Sequence, residues 1–89
     1  MEVEFRKSFE KDLNKIKNTG LLKKIKSVIL EVEKADNLQQ INQIKSLKGE
    51  NNYYYRIRIG SYRIGIYADQ NIVRFVRFLH RREIYKNFP

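Results

Sequence analysis

Seven of the eight arginines, all six tyrosines and the single histidine of this chain lie between Tyr53 and Tyr85. Guanidinium groups grip anions, because their planar fork donates two parallel hydrogen bonds to a phosphate or carboxylate. Tyrosine adds a flat ring and a hydroxyl, and histidine changes charge near neutral pH. Together these groups could hold a phosphodiester and move a proton beside it.

Other chemistries find no residues to carry them. The chain has no cysteine, no H-x-x-x-H pair and no paired acid site, so we expect no metal and no cofactor. Gly60 and Gly65 belong to no G-x-x-x-x-G-K-[ST] loop. Ser8, Ser27, Ser46 and Ser61 have no nearby base that would make a nucleophile. The net charge of +9 attracts polyanions. Lysines and acids mix in the first 48 residues, whereas the rest is rich in arginine, a segregation that points to phosphate contact. No apolar run reaches the length of a membrane span, and the charged N-terminus does not read as a secretory signal. A cytoplasmic chain fits.

The elements that must position these groups are strands. Gly60-Ser61, between two runs of Ile, Tyr and Arg, suits a two-residue hairpin with a II′ turn. Ile59 then faces Tyr62, Arg58 faces Arg63, Ile57 faces Ile64, and Arg56 faces Gly65. A second tight turn at Asp69-Gln70 would set Tyr67 opposite Ile72 and Gly65 opposite Arg74. Alternation sends Tyr53, Tyr55, Ile57, Ile59, Tyr62, Ile64, Ile66, Val73, Phe75 and Leu79 to one face, interrupted by Arg77. Tyr54, Arg56, Arg58, Arg63, Tyr67, Arg74, Phe78 and His80 go to the other. Opposed like charges such as Arg58 and Arg63 destabilise a sheet by up to about 1 kcal/mol. An anion lying over that face would relieve the repulsion; hydration of a solvated face is the alternative.

Upstream, Val3 and Phe5 alternate with acids and predict a first strand. Ser8 reads as an N-cap, with Glu10 and Asp12 in the first turn of a helix whose buried side carries Phe9, Leu13 and Ile16. Asn18-Thr19-Gly20 breaks it. A second helix, about Leu21 to Lys34, buries Leu22, Ile25, Ile29 and Val32. Leu38, Ile41, Ile44 and Leu47 fit a short irregular helix, with Asp36 and Gln39 as a capping box, or a loop pinned to the core. Lys48 to Asn52 reads as a polar turn. The expected fold is a single α+β domain over residues 1–89. It has two layers, with an antiparallel sheet covered on one face by helices, in the order β-α-α-β-β-β plus a short C-terminal helix.

This order resembles the RelE/ParE superfamily of toxins from type II toxin–antitoxin pairs. The resemblance spans essentially the whole chain. It rests on Leu47-Lys48-Gly49, on Tyr55-Arg56-Ile57-Arg58 with Gly60 and Tyr62-Arg63, and on His80-Arg81-Arg82 with Tyr85. It implies a RelE-like mRNA interferase that cleaves messages in the ribosomal A site by attack of a 2′-OH on the adjacent phosphate. Arg56 and Arg58 would be the basic pair on the second strand, and Arg63 the phosphate clamp. Tyr85 would stack on a base or transfer a proton, and Arg81, or else Arg82, would be the basic residue before it. Arg74 and Lys48 would add RNA contacts. Arginine is too basic to accept a proton comfortably, so the acceptor would be Tyr85, His80 or a ribosomal group. The implied partners are a cognate antitoxin, mRNA and rRNA, without a membrane. A ParE-like gyrase inhibitor, or an inactive antitoxin-binding homologue, is the alternative.

Overall fold

Short alternating runs and two amphipathic segments become five strands and three helices in the computed structural model, which describes residues 1–47 and 53–89. The order is β1 (Glu2–Phe5), α1 (Lys7–Asn14), α2 (Thr19–Lys34), a one-turn 3-10 helix (Leu38–Gln40) and β2 (Ile44–Ser46). Then follow β3 (Tyr54–Ile59), β4 (Tyr62–Asp69), β5 (Ile72–His80) and α3 (Arg81–Asn87). The sheet runs β1-β5-β4-β3-β2. It is antiparallel except that β1 pairs in parallel with β5, a departure from the wholly antiparallel sheet that the sequence suggests. Phe9, Ile25 and Val32 from the helices pack on Ile57, Ile64, Ile66, Val73, Phe75 and Phe78 of the sheet. These apolar side chains leave water together, each worth about 1.5–3 kcal/mol when fully buried.

The first hairpin has the expected register, with Ile59 opposite Tyr62, Arg58 opposite Arg63 and Arg56 opposite Gly65. Gly60 takes a φ of +56° and Ser61 stays outside the left-handed region, as a II′ turn requires. The second hairpin differs. Asp69 pairs with Ile72, so the loop is Gln70-Asn71 rather than Asp69-Gln70, and Tyr67 faces Arg74 instead of Ile72. The longer hairpin gains a buried Ala68–Val73 pair. Its corner falls on Gln70, at a φ of +55°, where glycine would sit more easily.

A bulge in β5 changes more. Ile66 pairs with Phe75 but Gly65 pairs with Arg77, leaving Val76 as the extra residue. An extra residue reverses the alternation beyond it. Phe78 and His80, expected beside the arginines, therefore turn to the helix side, and Leu79 moves to the opposite face, across from Arg63. The gain is plain: Phe75 and Phe78, three apart, are both buried in one core. An unbroken period of two could not bury both.

The bulged half of β5 has no strand neighbour on its outer edge, because β1 ends at Phe5. There α1 supplies the partners. The Arg6 amide donates to the Phe75 carbonyl at 2.9 Å, and the Ser8 hydroxyl donates to the Val76 carbonyl. Asp12 Oδ2 accepts from the Phe78 amide at 2.9 Å. Ser8 is thus not the N-cap; Arg6 holds that place and gives no side-chain bond. Nor does Asp12 lie in the first turn, where the helix dipole would favour it; Glu10 alone does. Asp12 is 5% exposed and accepts from Arg77 Nε at 2.8 Å and Nη2 at 3.1 Å. This hydrogen bond holds the Arg77 guanidinium above its ordinary pKa, against the pull of burial. The bulge also carries Arg77, expected to interrupt the apolar face, to the other face across from Gly65, and Asp12 matches its charge.

Asn18-Thr19-Gly20 does not separate the helices but starts the second: Asn18 Oδ1 caps α2 by accepting from the Leu21 amide at 3.0 Å. The stretch from Leu38 to Leu47 is neither one helix nor a plain loop, since its end forms β2. The Asp36–Gln39 capping box gives way to a bond from the Asp36 amide to Gln40 Oε1 at 2.8 Å. The expected polar turn from Lys48 to Asn52, with Lys48 itself, lies outside the described residues.

Candidate active site

Three strands deliver cations to the sheet face turned away from α1 and α2. On β3 these are Arg56 and Arg58, on β4 Arg63, and on β2 Lys45, directly across from Arg56. The Arg58 amide donates to the Gln43 carbonyl at 3.0 Å, away from β4. Arg58 and Arg63 consequently form a non-hydrogen-bonded pair, in which side chains come closest. Arg63 folds over the turn, its Nη1 donating to the Gly60 and Tyr62 carbonyls at 2.9 Å each. Its pKa is pushed below the ordinary arginine value, first by burial and then by the charges of Arg58, Arg56 and Arg81, with Tyr85 opposing.

Among the described residues the ion pairs are Arg74–Glu4 and Arg77–Asp12. Arg56, Arg58 and Arg63 therefore meet no carboxylate there, and Arg56 Nη1 is buried without a hydrogen-bond partner. With Gln43, Ile44 and Lys45, these three arginines line a pocket of about 270 Å³. A pocket of donors without an acid suits a phosphate group.

Helix α3 crosses the same face and completes the site. Its start is tied to the hairpin by the Arg81 amide, which donates to the Ser61 carbonyl at 2.8 Å. Farther along, the Arg56 guanidinium lies 4.8 Å from the centroid of the Tyr85 ring, a cation–π contact worth roughly 0.5–1 kcal/mol when exposed. Past the helix end, Phe88 packs on Gly65, where an added Cβ would come within 2.8 Å of the ring. Tyr54 meets the Phe88 ring edge-on at 5.5 Å. The β4 position beneath Phe88 is thus open only to glycine. Tyr85 itself is 66% exposed.

Of the residues singled out in the sequence, Arg56, Arg58, Arg63, Arg81 and Tyr85 converge. Arg82 is exposed on the first turn of α3. His80 stands apart: it pairs with Tyr62 on the helix side, and its Nδ1 accepts from the Arg82 amide at 3.2 Å as the cap of α3. The bulge is the reason. Arg74 is engaged elsewhere, its Nε held by Glu4 at 2.9 Å and its guanidinium 5.7 Å from the Tyr67 ring. Tyr54 and Tyr67 pack on each other at 5.1 Å. Lys48 is outside the described residues. Lys45 and Gln43 are the site residues that the sequence hid, because a three-residue strand is too short to show alternation. Among the described residues no group of His, Asp or Glu could hold a metal.

The chain can now be set beside known proteins. A family model described as "ParE toxin of type II toxin-antitoxin system, parDE" matches residues 3–85. Toxin RelE3 of Methanocaldococcus jannaschii is 43% identical over the full length of both chains. The structure resembles the toxin in the RelB-RelE antitoxin-toxin complex of Methanococcus jannaschii, with a TM-score of 0.79 and 41% identity, covering 96% of this chain and 98% of that one. The YoeB dimer of Staphylococcus aureus shares the fold at 18% identity and a TM-score of 0.74, over 91% of this chain and 97% of that one.

Proposed function

Because the chain belongs to the RelE/ParE superfamily of type II toxin–antitoxin toxins, we propose that this toxin is a ribosome-dependent mRNA endonuclease. One observation carries the reading. Arg58 and Arg63 oppose each other on one face, with no carboxylate beside them among the described residues, under a helix that presents Tyr85. A sheet under selection for stability alone would not retain that repulsion; an RNA phosphate removes it.

In the reaction, the 2′-oxygen of one nucleotide bonds to the adjacent phosphorus and the bond to the 5′-oxygen breaks. The products are a 2′,3′-cyclic phosphate and a 5′-hydroxyl. Arg58 and Arg63 hold the non-bridging oxygens and stabilise the extra charge of the phosphorane. Arg56 seats Tyr85, whose exposed ring stacks on a base and orients the attack. Arg81, fixed to the hairpin by its amide, stands on the leaving-oxygen side, with Arg82 toward the RNA backbone. The step also needs a proton acceptor, which guanidinium groups do not supply.

A cognate antitoxin is the natural partner, as in the RelB-RelE complex of the archaeal relative. An acidic segment of it would neutralise the cationic face. Ribosomal action places the toxin in the cytoplasm, and among the described residues no helix is long and apolar enough to cross a membrane.

Primer extension on programmed ribosomes tests the assignment. Arg63→Ala should slow cleavage by about 10²–10³-fold, the cost of losing one transition-state donor. Tyr85→Phe, which keeps the ring, shows what the hydroxyl adds. Growth arrest that persists in both variants, with DNA breaks, would instead mark a gyrase inhibitor.

A further inference from the structure

The proposed cleavage needs a base beside the 2′-hydroxyl, and of the acceptors expected from the sequence, Tyr85, His80 or a ribosomal group, His80 is absent from the site. His80 faces the other side of the sheet, with Nδ1 engaged as a cap. Arginines keep their protons at any pH where the protein works. Lys45 is different in kind, because a lysine can act through its neutral amine.

Its placement follows from β2. Pairing with β3 sets Lys45 opposite Arg56, on the cationic face. It lines the same pocket as Arg56, Arg58 and Arg63. The charged groups around it are Arg56 and Arg58 from β3 and Arg63 from β4. No acid pairs with it among the described residues. Just before β2, Gln43 takes a φ of +63° and its carbonyl accepts from the Arg58 amide, which fixes the register of the strand. Such a conformation strains a non-glycine residue, and strain of this kind gathers at functional sites.

We propose that Lys45 is the catalytic residue that receives the 2′-hydroxyl proton, an inference that rests on the nuclease reading above. The lone pair of Lys45 Nζ takes the proton as the 2′-oxygen bonds to phosphorus. The bond to the 5′-oxygen breaks, and that oxygen leaves as a hydroxyl with a proton drawn from solvent. The Lys45 ammonium then returns its proton to water.

The test uses the full chain and programmed ribosomes in single-turnover cleavage, with binding measured on a 2′-deoxy message that cannot react. Lys45→Arg keeps the charge and loses the usable base. Binding should be unchanged, whereas cleavage should fall by about 10²–10⁴-fold and lose its rise with pH. Lys45→Cys offers a second readout, since the chain has no other cysteine. Alkylation with 2-bromoethylamine restores an amine of lower basicity, so activity should return with its pH profile moved to lower pH. Lys45→Arg cleaving as wild type, or losing binding and cleavage in parallel, overturns the assignment. Arg63→Ala separates the two levels. If wild type itself leaves the message uncut, the nuclease reading fails; if wild type cleaves and Arg63→Ala does not, while Lys45→Arg is fully active, only the role of Lys45 is lost.

Discussion

Replacing Arg58 by threonine should make the protein more stable and less able to bind RNA. Arg58 and Arg63 sit in a non-hydrogen-bonded pair, shown by the Arg58 amide turning to Gln43. Like charges so opposed cost a few tenths to about 1 kcal/mol, and the close pair places this one toward the upper end. Threonine also suits a strand better than arginine by a few tenths of a kcal/mol. The gain should be about 1 kcal/mol, or roughly 4–8 °C in Tm for a domain of this size. High salt should raise the wild-type Tm more than the variant's, because screening shortens to about 3 Å at 1 M. The same change removes a charge-assisted phosphate contact worth about 1.5–3 kcal/mol, so affinity for a 2′-deoxy message should fall roughly 10- to 150-fold. Calorimetry at two salt concentrations and a binding titration read both. A variant less stable than wild type at low salt, or one with unchanged RNA affinity, refutes the reasoning.

Gly65→Ala should cost about 1–3 kcal/mol and reduce cleavage, since its Cβ meets the Phe88 ring at 2.8 Å and pushes α3 off the sheet; in a Phe88→Ala background the same change should be nearly neutral in denaturant melts. Asp12→Ala strands Arg77 and the Phe78 amide, and should lower stability by about 3 kcal/mol, the low end for a broken buried pair, because Arg77 is partly exposed. Arg74→Ala should leave cleavage close to wild type, because Glu4 already holds that guanidinium; a loss as large as for Arg63→Ala would place Arg74 in the site. RNA affinity should fall with salt, and the log–log slope should ease by about 0.7 in Arg58→Thr, the share of one single-strand phosphate.

Local pattern went far in this chain. The alternation of Ile with Arg and Tyr around Gly60 specifies the first hairpin, and with it the opposition of Arg58 and Arg63. Nothing beyond neighbouring residues is needed for that: a two-residue turn sets the register, and the register sets the faces. The two apolar helix faces are legible in the same way. The segments Leu47-Lys48-Gly49, Tyr55 to Arg63 and His80 to Tyr85 carry the family resemblance.

Long-range packing decided the rest. The bulge at Val76 exists because Phe75 and Phe78 both gain from burial under α1, and α1 can bond the edge that β1 leaves open. No local signal announces it, yet it moves His80 out of the site. Strand β2 forms only because β3 offers it an edge, so Lys45 joined the site through a pairing that three residues do not encode. Asp12 reads as a first-turn helix acid until β5 brings Arg77 and the Phe78 amide against it. Turns and faces depend on neighbours in the chain. Bulges, edge strands and buried ion pairs depend on what another element offers from a distance, and that is settled only when the layers close.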